Sequence, residues 1–300
     1  MTLLTTGKII LAMFLWAICF PFITIGIAYA PHLSFAALRA VLAGLVLLGI
    51  ALALRRSFPR GPKIWASLAI VGFGATSLGY LGMFMAAEFL SPGIATVIAN
   101  TQPLLAAGLA AVVLGERLTG WGRLGLALGF IGIVTIASPS LLSGGQDSYF
   151  VGFAYIILAA LGVTVSNVML KRIANAVDPL MAVSLQLLIG SVPLAIAAAL
   201  TEDPATIQWS FNFIFALFVL AVFGSALVYV VWMSVLADAP LSKANAFSFL
   251  VPVFGLTIGM LFYGETVGWP EMVGIAIALI GVMMVTQKGI APPLIADASN

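Results

Sequence analysis

Charge is scarce in this chain: only 7% of its 300 residues are Asp, Glu, Lys or Arg, against roughly 25% in soluble proteins. With 63% apolar residues and a mean hydropathy of +1.21, it cannot coat a globular surface, and it belongs in a bilayer. Cysteine is nearly absent. Cys19 stands alone in an apolar run, which excludes a disulfide framework and a thiolate metal cluster. His32 is the one histidine, so zinc catalysis lacks its usual ligands. The acids are scattered, with Glu202 and Asp203 the one adjacent pair, in what reads as a solvated loop, whereas a membrane-embedded lipid transferase needs clustered acids or a nucleophile beside its base. No catalytic residue, metal site or cofactor is expected. Long polar connections are missing too, the longest running over residues 138–148, so there is no inserted module to carry a signal.

What is present is a succession of apolar runs. A helix needs about 20 predominantly apolar residues to cross the hydrocarbon core. The polar breaks define ten such candidates, near 7–29, 34–54, 63–87, 92–114, 120–138, 150–172, 180–200, 210–236, 242–262 and 270–287. The first is too long for a signal-peptide core, and Pro31 would follow the cut after Ala28-Tyr29-Ala30, so it is kept as a span. With Lys8 in the cytoplasm, every one of the 12 Lys and Arg residues except Arg39 falls on the cytoplasmic side. That is the positive-inside pattern, and it puts both termini inside. Basic residues here report orientation rather than affinity for nucleic acid, and no nucleic-acid partner is expected.

The segment from Asn100 to Gly132 recurs at a constant offset of 149 residues. Pro103 matches Pro252, Gly115-Glu116 matches Gly264-Glu265, and Gly125 and Gly132 match Gly274 and Gly281. Ten spans then divide into two fives, and an odd number per copy turns the second copy upside down. The expected fold is all-α integral membrane: ten transmembrane helices as two inverted five-helix repeats around a central cavity. The repeats cover 1–138 and 150–288, joined by a periplasmic linker at 139–149 and followed by a cytoplasmic tail at 289–300.

Pro103 and Pro252 read as helix kinks that free backbone carbonyls toward a cavity, with a purely structural kink as the alternative, and Pro21 could act likewise. Glu116 and Glu265 read as caps on the first turn of the following helix, beside glycines suited to a left-handed helix end. Gly125, Gly129 and Gly132, and Gly274, Ala278 and Gly281, form small-residue faces that let helices approach closely. These faces belong to a seam between repeats or to a dimer contact, and the expected state is a monomer or weak dimer.

Polar and aromatic side chains within spans tend to face the bundle interior, because an unpaired polar group facing lipid is costly. Asn100, Gln102 and Ser248 precede the two prolines, Ser166 and Asn167 sit in mid-span, and Tyr80 and Tyr229 are repeat-equivalent, with Trp16 and Trp232 at similar depth. All nine are candidate substrate contacts, with interhelical hydrogen bonding, core packing or an interfacial belt as the alternatives. Arg39 and Glu88 are the charge candidates. Arg39 either snorkels to the outer surface or pairs with Glu88 or a substrate carboxylate at the outer mouth.

Leu15-Trp16-Ala17, Phe35-Ala36-Ala37-Leu38-Arg39, Pro103 with Gly115-Glu116, and Pro252 with Gly264-Glu265 together resemble the EamA-type branch of the drug/metabolite transporter superfamily. The resemblance covers nearly the whole chain. It implies a basket-like arrangement around a central cavity and export of small metabolites across a bacterial inner membrane by alternating access. Within the branch it is similar to exporters of neutral and aromatic amino acids, which makes an amino-acid-like solute and membrane lipid the expected partners. Nucleosides, sugars or drugs are the alternative cargo, and a polytopic enzyme is the alternative class. The second copy departs from the first in having Gln186 near the position of Arg39.

Overall fold

The computed structural model describes residues 2–100, 102, 104, 105, 119–142, 147–173, 176–238, 247 and 250–288. The regular elements among them are all helical. In chain order they are α1 (Leu3–Ile27), α2 (His32–Ala53), α3 (Pro62–Ala86), α4 (Pro92–Ala99), α5 (Gly120–Leu142), α6 (Asp147–Ile173), α7 (Pro179–Thr201), α8 (Phe211–Val235), α9 (Leu250–Tyr263) and α10 (Trp269–Lys288). Among the described residues, α1, α2, α3, α6, α7 and α8 are long and apolar enough to cross a membrane. Large apolar side chains cover the outside, and Trp209, Phe211, Phe262 and Trp269 stand exposed at helix ends, where amphipathic rings meet the headgroups.

Local chemistry sets the helix starts. Prolines open α3, α4 and α7, where a missing N–H costs nothing. Asp178 caps α7 by accepting from the N–H groups of Leu180 and Met181 at 3.0 and 3.2 Å. Expected and observed spans differ most at the fourth, 92–114. Its helix α4 stops at Ala99, with a turn at Asn100, and residues 106–118 lie outside the described residues. Similarly, α9 begins at Leu250, so Pro252 falls in its first turn rather than kinking its middle.

Two helices widen where glycine and small residues concentrate. α3 passes through a π-helical segment at Gly72–Leu78 and α8 through another at Val219–Leu227. At the repeat offset these stretches coincide. Each is gripped by a helix from the other half of the chain: α7 packs on the π segment of α3, and α2 on that of α8. The remaining contacts follow the same exchange. α2 lies along α7, α4 along α9 and α5 along α10, while α1 packs on α8 and α6 on α3.

The α5–α10 contact is made backbone to backbone. A Cβ on Gly132 would strike the backbone of Ala278 and lie 2.7 Å from the Gly274 carbonyl oxygen. On Gly281 it would lie 2.5 Å from Gly129 N and 2.6 Å from the Gly125 carbonyl oxygen. The glycine faces therefore meet each other within the chain, which removes them as a dimer surface.

Polar fasteners tie the ends of the two halves together. Glu202, at the end of α7, was expected in a solvated loop. Its carboxylate instead accepts from the N–H groups of Leu33 and Ser34 and from the Ser34 hydroxyl, each at 2.8 Å, and so caps α2. At the opposite ends of the same pair, Arg56 and Asp178 meet at 3.4 Å. Replacing Glu202 with alanine strands three donors at a helix start and is expected to lower stability by about 1–2 kcal/mol. Denaturant titration of the detergent-purified protein measures this, and an unchanged midpoint would remove the cap from the account.

Glu265 also acts across the halves. Gly264 adopts φ 64°, the left-handed helix end its type suggests, and turns the chain back. The Glu265 carboxylate then accepts from Gly93 N–H at 2.8 Å, at the start of α4, rather than capping the helix that follows it. The counterpart Gly115-Glu116 lies outside the described residues.

Candidate functional site

Arg39 organises the centre. It lies about 10 Å along α2 from the helix start and is only 2% exposed, the one buried charged residue among those described. Its guanidinium carbon sits 4.5 Å from the centroid of the Tyr80 ring and 5.9 Å from that of Phe84, a cation–π arrangement supplied by α3. Toward α8, Nε and Nη2 donate to the Ser225 hydroxyl at 3.4 and 3.3 Å, and Nη2 approaches the Gly224 carbonyl at 3.5 Å. Nη2 also lies 3.5 Å from the Cys19 Sγ of α1. Gly224 and Ser225 both belong to the π segment of α8, whose altered ladder turns that carbonyl toward Arg39 and Cys19. The Tyr80 hydroxyl shares Ser225 at 3.2 Å. Nη1 is buried with no hydrogen-bond partner among the described residues.

Two expectations for Arg39 are thereby corrected: it neither snorkels to the surface nor pairs with Glu88. Glu88 stands two helical turns beyond Tyr80, about 12 Å along the axis. It is half exposed, with His32 Nε2 at 3.7 Å. Once the guanidinium stacks on Tyr80, the carboxylate is out of reach.

The aromatic candidates extend this cluster. Trp16 of α1 and Trp232 of α8 meet edge to face, with centroids 5.2 Å apart. Tyr229 packs against both the Trp16–Trp232 group and the core that holds Tyr80. Spacing explains the alignment: Ser225, Tyr229 and Trp232 share one face of α8, as Trp16 and Cys19 share one face of α1. Four of the nine contact candidates thus form one wall drawn from α1, α3 and α8.

The others fall elsewhere. Ser166 is buried in the α3–α6 seam, where its hydroxyl reaches the carbonyls of Val71 and Gly162 at 3.0 and 2.8 Å. Asn167 is exposed on the side of α6 opposite Leu158, Leu161 and Val165. Since those three make the outer apolar face, Asn167 points to the interior of the bundle. Asn100 and Gln102 are half-buried at the end of α4. Ser248 and Pro103 lie outside the described residues. Pro21 follows a break in α1 at Ile18, and its carbonyl accepts from the Tyr263 hydroxyl at 2.6 Å. Sequence reasoning missed Cys19, Phe84, Gly224 and Ser225. The available signal was the helical spacing of Cys19 from Trp16 and of Ser225 from Tyr229.

An apolar exterior, helices that trade partners between two halves, and a charged aromatic centre where they meet describe a multi-pass membrane protein built around an internal polar site. The chain belongs to the EamA-like transporter family, whose sequence profile matches residues 6–138 and again 150–287. It is 31% identical to the chloroplastic WAT1-related protein of Arabidopsis thaliana over 83% of its own length, spanning 61% of that plant protein. It is 28% identical to the uncharacterized transporter YvbV of Bacillus subtilis, covering 95% of this chain and 92% of that one. Identity to the uncharacterized inner membrane transporter YedA of Escherichia coli K12 is 26%, covering 98% and 96%. A crystal structure superposes with a TM-score of 0.68 at 20% identity, covering 94% of this chain and 96% of the other, which supports the fold. Family and relatives place the protein among transporters, not enzymes.

Proposed function

We propose that the protein exports small amphipathic metabolites, with neutral and aromatic amino acids as cargo, across a bacterial inner membrane by alternating access. The carrying observation is the pair of π segments at repeat-equivalent positions, each clasped by a helix of the other half. π segments concentrate at functional sites, because a skipped hydrogen bond leaves a helix with two nearby registers. Two such elements, related by the repeat, give inward-open and outward-open states of similar energy. In this reading ten spans form two inverted repeats, 1–138 and 150–288, with both termini cytoplasmic. Two profile matches at 6–138 and 150–287 and the exchange of helix partners support it.

Trp16, Tyr80, Tyr229 and Trp232 pack the apolar part of the cargo, with Asn167, Asn100 and Gln102 as polar contacts and Ser166 holding the α3–α6 seam. The protein works as a monomer or weak dimer, without a dedicated proton-coupling carboxylate. Counterflow into liposomes by the purified protein, with labelled amino acids and nucleosides, tests this. Amino acid exchange that is indifferent to an imposed pH gradient is expected. Strict dependence on the gradient would refute uncoupled export, and exchange of nucleosides alone would refute the cargo.

A further inference from the structure

Among the described residues, no acid balances the charge on Arg39. Five described acids are committed elsewhere: Glu88 faces His32, Glu202 caps α2, Glu265 caps α4, Asp178 meets Arg56 and Asp238 meets Lys8. The acceptors that Arg39 does have are neutral, and all lie at 3.3 Å or beyond, longer than charge-assisted hydrogen bonds at about 2.7–2.9 Å. Nη1 has none. A buried cation left this way carries a large desolvation cost, which a paired anion would offset. An oxyanion that engages two guanidinium nitrogens at once, as a carboxylate does, would offset that cost. The walls around it, Tyr80, Phe84, Tyr229 and the Trp16–Trp232 pair, suit an apolar or aromatic remainder.

We infer that Arg39 is the cargo-recognition residue for a carboxylate, and that the cargo is a small organic monoacid whose amino group is dispensable. The inference rests on the transporter reading above and narrows it. No described carboxylate joins the Arg39 cluster, so an ammonium finds no counter-charge there. Amino acids are then accepted as one kind of monocarboxylate. Two motions follow: the oxyanion displaces the weak contacts to Ser225 and Gly224, and the π segment of α8 is released from α2. Cargo binding and loosening of that helix contact become one event.

The test uses the full-length protein in detergent and in liposomes, with L-phenylalanine, phenylacetate and L-phenylalanine amide as probes. Phenylalanine and phenylacetate are expected to raise the thermal midpoint of the wild type, and the amide to leave it unchanged. In Arg39→Gln the apparent affinity for phenylacetate should fall by about tenfold or more, because the buried charge partner is lost. Arg39→Lys should recover part of it, since a lysine keeps the charge without the fork. The amide acting as well as the acid on the wild type overturns the inference without reference to any variant. So does a wild type that neither acid stabilises, or an Arg39→Gln protein that responds to phenylacetate like its parent. Counterflow separates the two levels: amide exchange with no preference for acids refutes carboxylate recognition while leaving a transporter. Absence of exchange for every solute would refute transport itself.

Discussion

Arg39→Leu is expected to fold, to unfold no earlier than the parent, and to lose transport by about 30-fold to 1000-fold. The two halves of that expectation have one cause. The guanidinium is 2% exposed and is held by long contacts to Ser225, Gly224 and Cys19, with Nη1 unmet. Replacing a buried, poorly compensated charge with an apolar side chain of similar volume is commonly neutral, or stabilising by about 1–4 kcal/mol. Leucine is shorter and gives up the guanidinium's contact with the Tyr80 and Phe84 rings, which offsets part of that gain. It supplies no donor to a cargo anion, so binding energy vanishes at the step that matters. Initial counterflow rates and thermal unfolding on the same preparation decide the matter. Undiminished flux would sink the role in recognition. A large fall in stability with proportionate loss of flux would recast Arg39 as a structural charge.

The second large effect is expected from Gly190→Leu, which should destabilise the protein by about 1–3 kcal/mol or more. Gly190 lies on α7 where the π segment of α3 comes closest. A Cβ there collides with the Gly72 carbonyl oxygen and sits 2.5 Å from the Thr76 Cβ. The obstruction is backbone, which cannot swing aside as a side chain can. The reciprocal contact is equally tight, with a Cβ on Gly72 placed 2.9 Å from the Gln186 carbonyl oxygen and 3.0 Å from Gly190 N. The Thr76 and Ser77 hydroxyls, which donate to Gln186 and Gly190 carbonyls at 3.3 and 2.7 Å, would be pulled off their acceptors. Gly49→Leu is the control, since nothing lies within 4 Å of a Cβ there. Equal thermal midpoints for the two variants would show that this contact has room to relax.

Much of this architecture was legible in the residues, for identifiable reasons. Apolar run length marks α1, α2, α3, α6, α7 and α8, because a bilayer imposes a minimum length that no other environment does. Tyr80, Tyr229, Trp16 and Trp232 could be singled out because amphipathic rings within spans are few and fall at matching depths. Other features leave no local trace. A π segment adds a residue to one turn without altering the apolar pattern, so Gly72–Leu78 and Val219–Leu227 read as ordinary helix. α4 ends at Ala99 with a turn at Asn100, while Gln102, Leu104 and Leu105 are helical again, an interruption inside one apolar run that hydrophobicity alone does not mark. Glu202 looked solvated because its partners, Leu33 and Ser34, are far away in sequence. Arg39 was conspicuous as a charge inside a span, but its surroundings arise only when α1, α3 and α8 converge.

The glycine seam between α5 and α10 carries a consequence for the ancestry of the chain. Its contacts are reciprocal: Gly132 meets Ala278 and Gly274, while Gly281 meets Gly129 and Gly125, the same positions with the copies exchanged. Self-complementary contact of one surface with its own copy is the mark of a two-fold homodimer. The seam thus has the form of a contact between two copies of one unit, and the family profile matches the chain twice, on either side of it. Joining frees each copy to diverge wherever the seam is not involved. Arg39 is such a divergence, since the offset of 149 residues puts Leu188 at its place in the second copy.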